Sequence, residues 1–312
     1  MNRWLSASCI LLVLVIAAIY FFIPSPLKSS LLVPVKCNVF GADRVLGDTG
    51  KWARWWPEYV KGSGGLEYNG VNYQAAKRLM RSVEISIDDK GSAMSGMLIV
   101  FGSPRIDSCY LQLQFDQRVS LNPLKRIKQY REAQHLKADI GIILDSFRTY
   151  LESMQNVYGL TMVEKSTPGS LVEQTIHIVG MYPTTDTIYT EVRKLERFLA
   201  AHGSKKAGHP MVNITAQADG RFKLRVALPT DKVIPNSGDV QSGEVPTDIF
   251  LQADVVGGDG AVRAAFGSMD NYISDYGRTI VAIPFASLIT DRRLEPDSAK
   301  WVTRIYWPLV PR

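Results

Sequence analysis

The chain has 312 residues, 46% of them hydrophobic and 21% charged, and carries a formal net charge of +6. That is ordinary material for about two globular domains. The 36 basic residues are interspersed with 30 acidic ones, and the densest basic stretch, KRIKQYR at 125–131, has no helix-turn-helix, zinc-ligand spacing or aromatic-basic strand pattern beside it, so no nucleic-acid partner is expected.

From Trp4 to Ile23 the chain carries no charge, a run of about 30 Å as a helix and the thickness of a hydrocarbon core. Arg3 precedes it, Pro24 and Pro26 end it, and Trp4 and Tyr20 suit the two interfaces. A cleaved signal peptide is the alternative; the length of the run and the lack of a small-x-small site favour an uncleaved anchor. Residues 1–29 are therefore expected to be a transmembrane helix and linker. With Arg3 inside, the rest of a single-pass bacterial inner-membrane protein is expected in the periplasm.

A strand follows, in which Val33, Val35, Cys37 and Val39 alternate onto one face. KWARWWPEY at 51–59 then places Trp52, Trp55 and Trp56 at i, i+3, i+4, on one side of a helix that Pro57 ends. LEYNGVNY reads as a hairpin turning at Asn69-Gly70, and VEISI, MLIVF and CYLQLQF read as further strands. Cys109, Leu111, Leu113 and Phe115 share a face of the last strand. Cys37 and Cys109 are thus either bridged, if their strands are neighbours, or two separate buried thiols. Ile140, Ile143, Leu144, Phe147, Leu151 and Met154 form the apolar stripe of a long helix. The sum is an α+β unit whose antiparallel sheet wraps a closing helix.

This order, with GADRVLGDTGKWARWWPE after the first strand, resembles the helix-grip family of START and polyketide-cyclase-like domains (SRPBCC) over residues 30–165. The resemblance implies a cavity for a hydrophobic ligand between sheet and helix, with Trp56 at its rim and the other tryptophans in the core.

From residue 170 the pattern repeats. VEQTIHIVG is a strand, a helix carries Ile188, Val192, Leu195 and Leu199, and HPMVNITA pairs with FKLRVALP across Asp219-Gly220. After a polar linker at about 230–247, IFLQADVVG, a helix with Val262, Phe266, Met269 and Ile273, TIVAIPFASLIT and WVTRIYWPLV repeat the series. Gly203 aligns with Gly277, Pro210 with Pro284, and FKLRVALP with WVTRIYWP, a duplicated β-α-β-β unit. Residues 170–312, ending in this W-x-T-x-I-Y-x-P motif, resemble the GyrI-like bacterial effector-binding domain, which implies small-molecule binding in a groove across the pseudo-twofold. Where that family commonly has a glutamate, this chain has Arg304, matched by Arg225.

Strand alternation puts Arg225, Arg304 and Tyr306 on the face away from the helices. Either an anion lies between the two guanidinium groups, or each pairs with a nearby acid. No metal-ligand spacing, P-loop or G-x-S-x-G elbow is present, and no cofactor is expected. The reading is a membrane-tethered binder or sensor of an amphiphilic, anionic small molecule, with Arg225, Arg304, Tyr306 and Trp56 as contacts and no turnover. The alternatives are a hydrolase of a hydrophobic compound and a structural or partner-binding module of the envelope.

Overall fold

In the computed structural model the chain is described over residues 2–59, 65–89, 92–246 and 248–311, with the side chains of Asn2, Arg3, Leu5, Ser6, Ser92 and Asp248 outside that description. It divides into two units, Met1–Val157 and Tyr158–Arg312.

The first unit opens with α1 (Asn2–Phe22), then β1 (Leu27–Val35) and α2 (Val39–Gly47). The strands β2 (Leu66–Tyr68), β3 (Val71–Leu79), β4 (Ser82–Asp89), β5 (Ser92–Gly102) and β6 (Cys109–Gln117) follow, and α3 (Pro123–Leu151) closes it, with a short α4 (Met154–Tyr158) at the boundary. The strands form one curled antiparallel sheet in the order β1-β6-β5-β4-β3-β2. Asn69 and Gly70 both have positive φ, 49° and 77°, as the predicted two-residue hairpin requires. Asn122 caps α3 by accepting the backbone N–H of Leu124 at 3.0 Å, with Pro123 at the first helical position. Ile140, Ile143, Leu144, Phe147 and Leu151 are buried, as the stripe predicts, whereas Met154 falls in α4 and is half-buried.

The tryptophan segment differs from the single helix expected. A 3-10 turn, Thr49–Arg54, carries Trp52, while Trp55 and Trp56 lie beyond it; Pro57 disfavours the helical region for Trp56, the residue before it. The three rings still meet: Trp52 stacks parallel to Trp56 at 6.5 Å, and Trp55 stacks on Phe147 at 4.2 Å. The indole N–H of Trp56 donates to the carbonyl of Glu67 at 3.0 Å, and the residue is only 5% exposed. Trp56 is therefore core, not rim.

Cys37 and Cys109 are buried thiols with no disulfide between them. β1 and β6 are neighbours, but the register sets Cys109 opposite Val35, leaving Cys37 two residues past the end of the ladder. Burial pushes the Cys109 thiol up to about 12.

The membrane expectation is corrected. Among the described residues, no helix is long and apolar enough to cross a membrane. The side chains of Arg3, Leu5 and Ser6, on which the orientation and part of the apolar run rested, lie outside the description. The last turn of α1 is engaged with α3. There Ile19 packs beside Ile23, Leu27 and Ala133, and Arg126 donates its Nε–H to the carbonyl of Ile23 at 2.7 Å. The inner-membrane and periplasmic assignment falls with it.

The second unit comprises β7 (Val163–Thr167), β8 (Ser170–Val179), α5 (Thr185–Ala201), β9 (Met211–Ala216), β10 (Phe222–Pro229), β11 (Gln241–Val245), β12 (Asp248–Val256), α6 (Asp259–Asp275), β13 (Phe285–Leu288) and β14 (Val302–Leu309). Its eight strands form one sheet in the order β11-β8-β10-β9-β13-β14-β12-β7. The repeat is realised as β8-α5-β9-β10 and β12-α6-β13-β14, which meet through Val212↔Ala286 and Met211↔Ser287. Both helices end alike: Gly203 and Gly277 have φ of 60° and 57°. The next backbone N–H, of Ser204 or Arg278, returns to the carbonyl of Leu199 or Ile273 at 2.9 Å, a Schellman closure that needs a left-handed residue. The bridges Lys206↔Thr230 and Ile280↔Leu309 also correspond. Leu224, Val226 and Leu228 of β10 pack with Ile188, Val192, Leu195 and Leu199 of α5. Arg225 and Ala227 are thereby turned to the helix-free face.

Candidate functional site

Two hollows open where the repeats meet. The larger, 570 Å³, lies on the helix side. Its floor includes Val212, Ile214 and Leu288, and Val262 and Phe266 of α6 form one wall. Phe222 and Tyr182 meet edge to face at 5.5 Å on its border. The volume is that of a small-molecule site, and the lining is apolar with a few charges, as such sites require.

Those charges are Asp259, Arg263 and Arg292. Arg292 is buried and donates from Nη1 to Oδ1 of Asp259 at 2.8 Å and from Nη2 to Oγ1 of Thr303 at 3.1 Å. Its guanidinium also lies 4.5 Å from the centre of the Trp301 ring. Arg263 lies over the Tyr182 ring at 4.7 Å and has no ion pair among the described residues. Burial raises the Tyr182 hydroxyl above its ordinary range and Asp259 adds to this, while Arg263 and Arg292 oppose it. The border thus carries two guanidinium groups against one carboxylate that is already engaged. Among the described residues no group of three or more His, Cys, Asp or Glu side chains is placed to hold a metal ion.

The smaller hollow, 160 Å³, lies on the helix-free face and is lined by Gln174, Met211, Arg225, Ala227, Phe250 and Phe285 among others. Val212, Asn213 and Ile283 border both hollows.

Of the residues singled out in the sequence, Arg225, Arg304 and Tyr306 do share the helix-free face, but Arg225 and Arg304 do not share a site. Their strands, β10 and β14, are separated by β9 and β13, about 14 Å in the hydrogen-bonding direction. Arg304 is held by both oxygens of Asp254, Nε to Oδ1 at 2.6 Å and Nη2 to Oδ2 at 2.9 Å, and this pairing lowers the Asp254 carboxyl below its ordinary range. Tyr306 stacks on Phe285 at 4.9 Å, with Phe250 edge-on to both rings. Trp56 belongs to the core of the other unit. Arg263, Arg292 and Tyr182 were not foreseen. The exposed side of α6 and the loops before α5 and β14 carry no periodic signal that would pick them out.

No family model matches the chain, and no curated protein matches it. Among solved structures it is similar to the EcmrR C-terminal domain, at 16% identity over 49% of this chain and 99% of that one, with a TM-score of 0.41. It is similar to SAV2435 bound to tetraphenylphosphonium, at 13% identity over 48% and 94%, TM-score 0.32. A hydrolase encoded by lin2189 from Listeria innocua is similar at 10% identity over 48% and 92%, TM-score 0.38. At this level the likenesses assign no activity to the chain.

Proposed function

We propose that the second unit binds an amphiphilic small molecule bearing a negative charge, in the helix-side hollow at the pseudo-twofold, without turning it over. The carrying observation is the 570 Å³ hollow, in which an apolar floor and three aromatic side chains meet two guanidinium groups and one occupied carboxylate. An apolar body loses its water contact against Val212, Ile214, Val262 and Leu288, worth roughly 25 cal/mol per Å² of apolar surface removed from water. Arg263 supplies a planar donor at the border for a carboxylate, sulfate or phosphate. A GyrI-like reading of this unit and a SRPBCC-like reading of the first are compatible with this role and rest on the sequence resemblance.

Tetraphenylborate and tetraphenylphosphonium share a shape and differ in charge, which makes them the test pair. The full chain is expected to bind tetraphenylborate at least tenfold more tightly, and Arg263→Glu to remove or reverse that preference. Calorimetric titration with each ion reads both results. Tighter binding of the phosphonium by the unsubstituted chain, or a preference indifferent to Arg263→Glu, would reject the charge assignment. Failure of both ions to bind would reject the site.

A further inference from the structure

The repeat places Arg225 and Arg304 at equivalent positions, yet their surroundings differ, and one of the differences is in charge compensation. Arg304 faces Asp254 across the β14–β12 ladder; Arg225 faces Ile176 across the equivalent β10–β8 ladder. Ile176 therefore stands where the other half has its counter-ion. Arg225 has no hydrogen bond or ion pair among the described residues, and its Nε is buried without a partner. A guanidinium Nε shut away from water and unpaired is destabilising, and an acceptor brought to the group offsets that penalty.

The hollow in front of it tells what the acceptor is attached to. At 160 Å³ it is close to the space an apolar cavity offers one benzene ring, about 150 Å³. Phe250 and Phe285 form an aromatic wall, extended by Tyr306 stacked on Phe285, and Met211 and Ala227 add apolar surface. Gln174 supplies an amide, and Gly243 on the neighbouring strand leaves it room, since a Cβ there would come within 2.9 Å of the Gln174 Nε2. Glu244 also borders the hollow, but its register partner is Leu171, whereas Gln174 pairs with Gln241. Strand alternation thus directs the Glu244 side chain to the opposite face from Gln174 and Arg225.

We infer that the helix-free face holds a second ligand site, specific for a small aromatic monocarboxylate, with Arg225 as the anion receptor and Phe250 and Phe285 as the ring wall. The site shares Val212, Asn213 and Ile283 with the border of the helix-side hollow, but its anion receptor is a different residue. It takes a single ring with one carboxylate; a larger amphiphile exceeds its volume.

The test is fluorine NMR of 4-fluorobenzoate and of neutral 4-fluorobenzyl alcohol titrated into the full chain. The benzoate is expected to bind at least tenfold more tightly than the alcohol. Arg225→Met should abolish that advantage, and Ile176→Asp, which gives Arg225 the counter-ion that Arg304 already has, should do so while leaving the guanidinium in place. Arg304→Met, at a residue that lines neither hollow, should leave it unchanged. Equal binding of acid and alcohol by the unsubstituted chain overturns the inference without recourse to any variant. So does a benzoate affinity that survives Ile176→Asp, or one that is lost in Arg263→Met but kept in Arg225→Met, which would put the anion in the other hollow.

Discussion

Arg304 and Asp254 form a two-point ion pair whose side chains are 39% and 50% exposed. Water screens such a pair, so Arg304→Met is expected to cost no more than about 1 kcal/mol of stability at pH 7. Its pH dependence has a definite sign. The folded-state carboxyl of Asp254 lies below its ordinary value because Arg304 donates to it. The contribution is therefore complete above the unfolded carboxylate range, near pH 4, and disappears as the pH falls through the lower folded value. Urea unfolding of the parent and of Arg304→Met should show their difference shrinking from pH 6 to pH 2; a difference that grows in acid would contradict the pairing. At this same scale the sequence was least informative. That Arg225 and Arg304 point to one face follows from alternation, but that one is neutralised and the other is not depends on which strands become their neighbours. Asp254 lies 50 positions from Arg304, and no local spacing announces that contact.

Elements were more legible, because their signals are local. The two helices of the repeat, the Asn-Gly hairpin and α3 follow from 3.6-residue stripes and a positive-φ turn, each confined to nearby residues. Gly203 and Gly277 close α5 and α6 in the same conformation, so Gly203→Ala and Gly277→Ala should each destabilise by about 1–2 kcal/mol, the cost of a side chain in the left-handed region. Chemical denaturation of the two variants checks both the magnitude and its near-equality. Elements that depend on a partner were missed. β11, within what reads as a polar linker, is QSGEV, with no apolar alternation; it is a strand because β8 offers it a free edge. β7 (VEKST) is likewise exposed along most of its length and is defined by pairing with β12. The tryptophan segment erred the other way. Helical spacing was there, but Pro57 acted one residue earlier than the spacing suggests.

At the scale of the whole chain, the hydrophobic core beneath α5 draws, among the described residues, on side chains from Ile188 to Leu288, all within the second unit. Residues 158–312 produced alone are therefore expected to unfold in a single cooperative transition, with coincident fluorescence and circular dichroism curves; a molten, non-cooperative fragment would refute this. The duplication inside that unit has a further consequence for anything that binds on the helix-free face. A surface made of the same motif twice is a palindrome: a ligand laid across it can be turned end for end with no change in energy, and it is held in two poses at once. Asp254 silences the charge in one half, and Ile176 leaves it live in the other. That exchange gives the palindrome a head and a tail, and converts a surface with two equivalent readings into one with a direction.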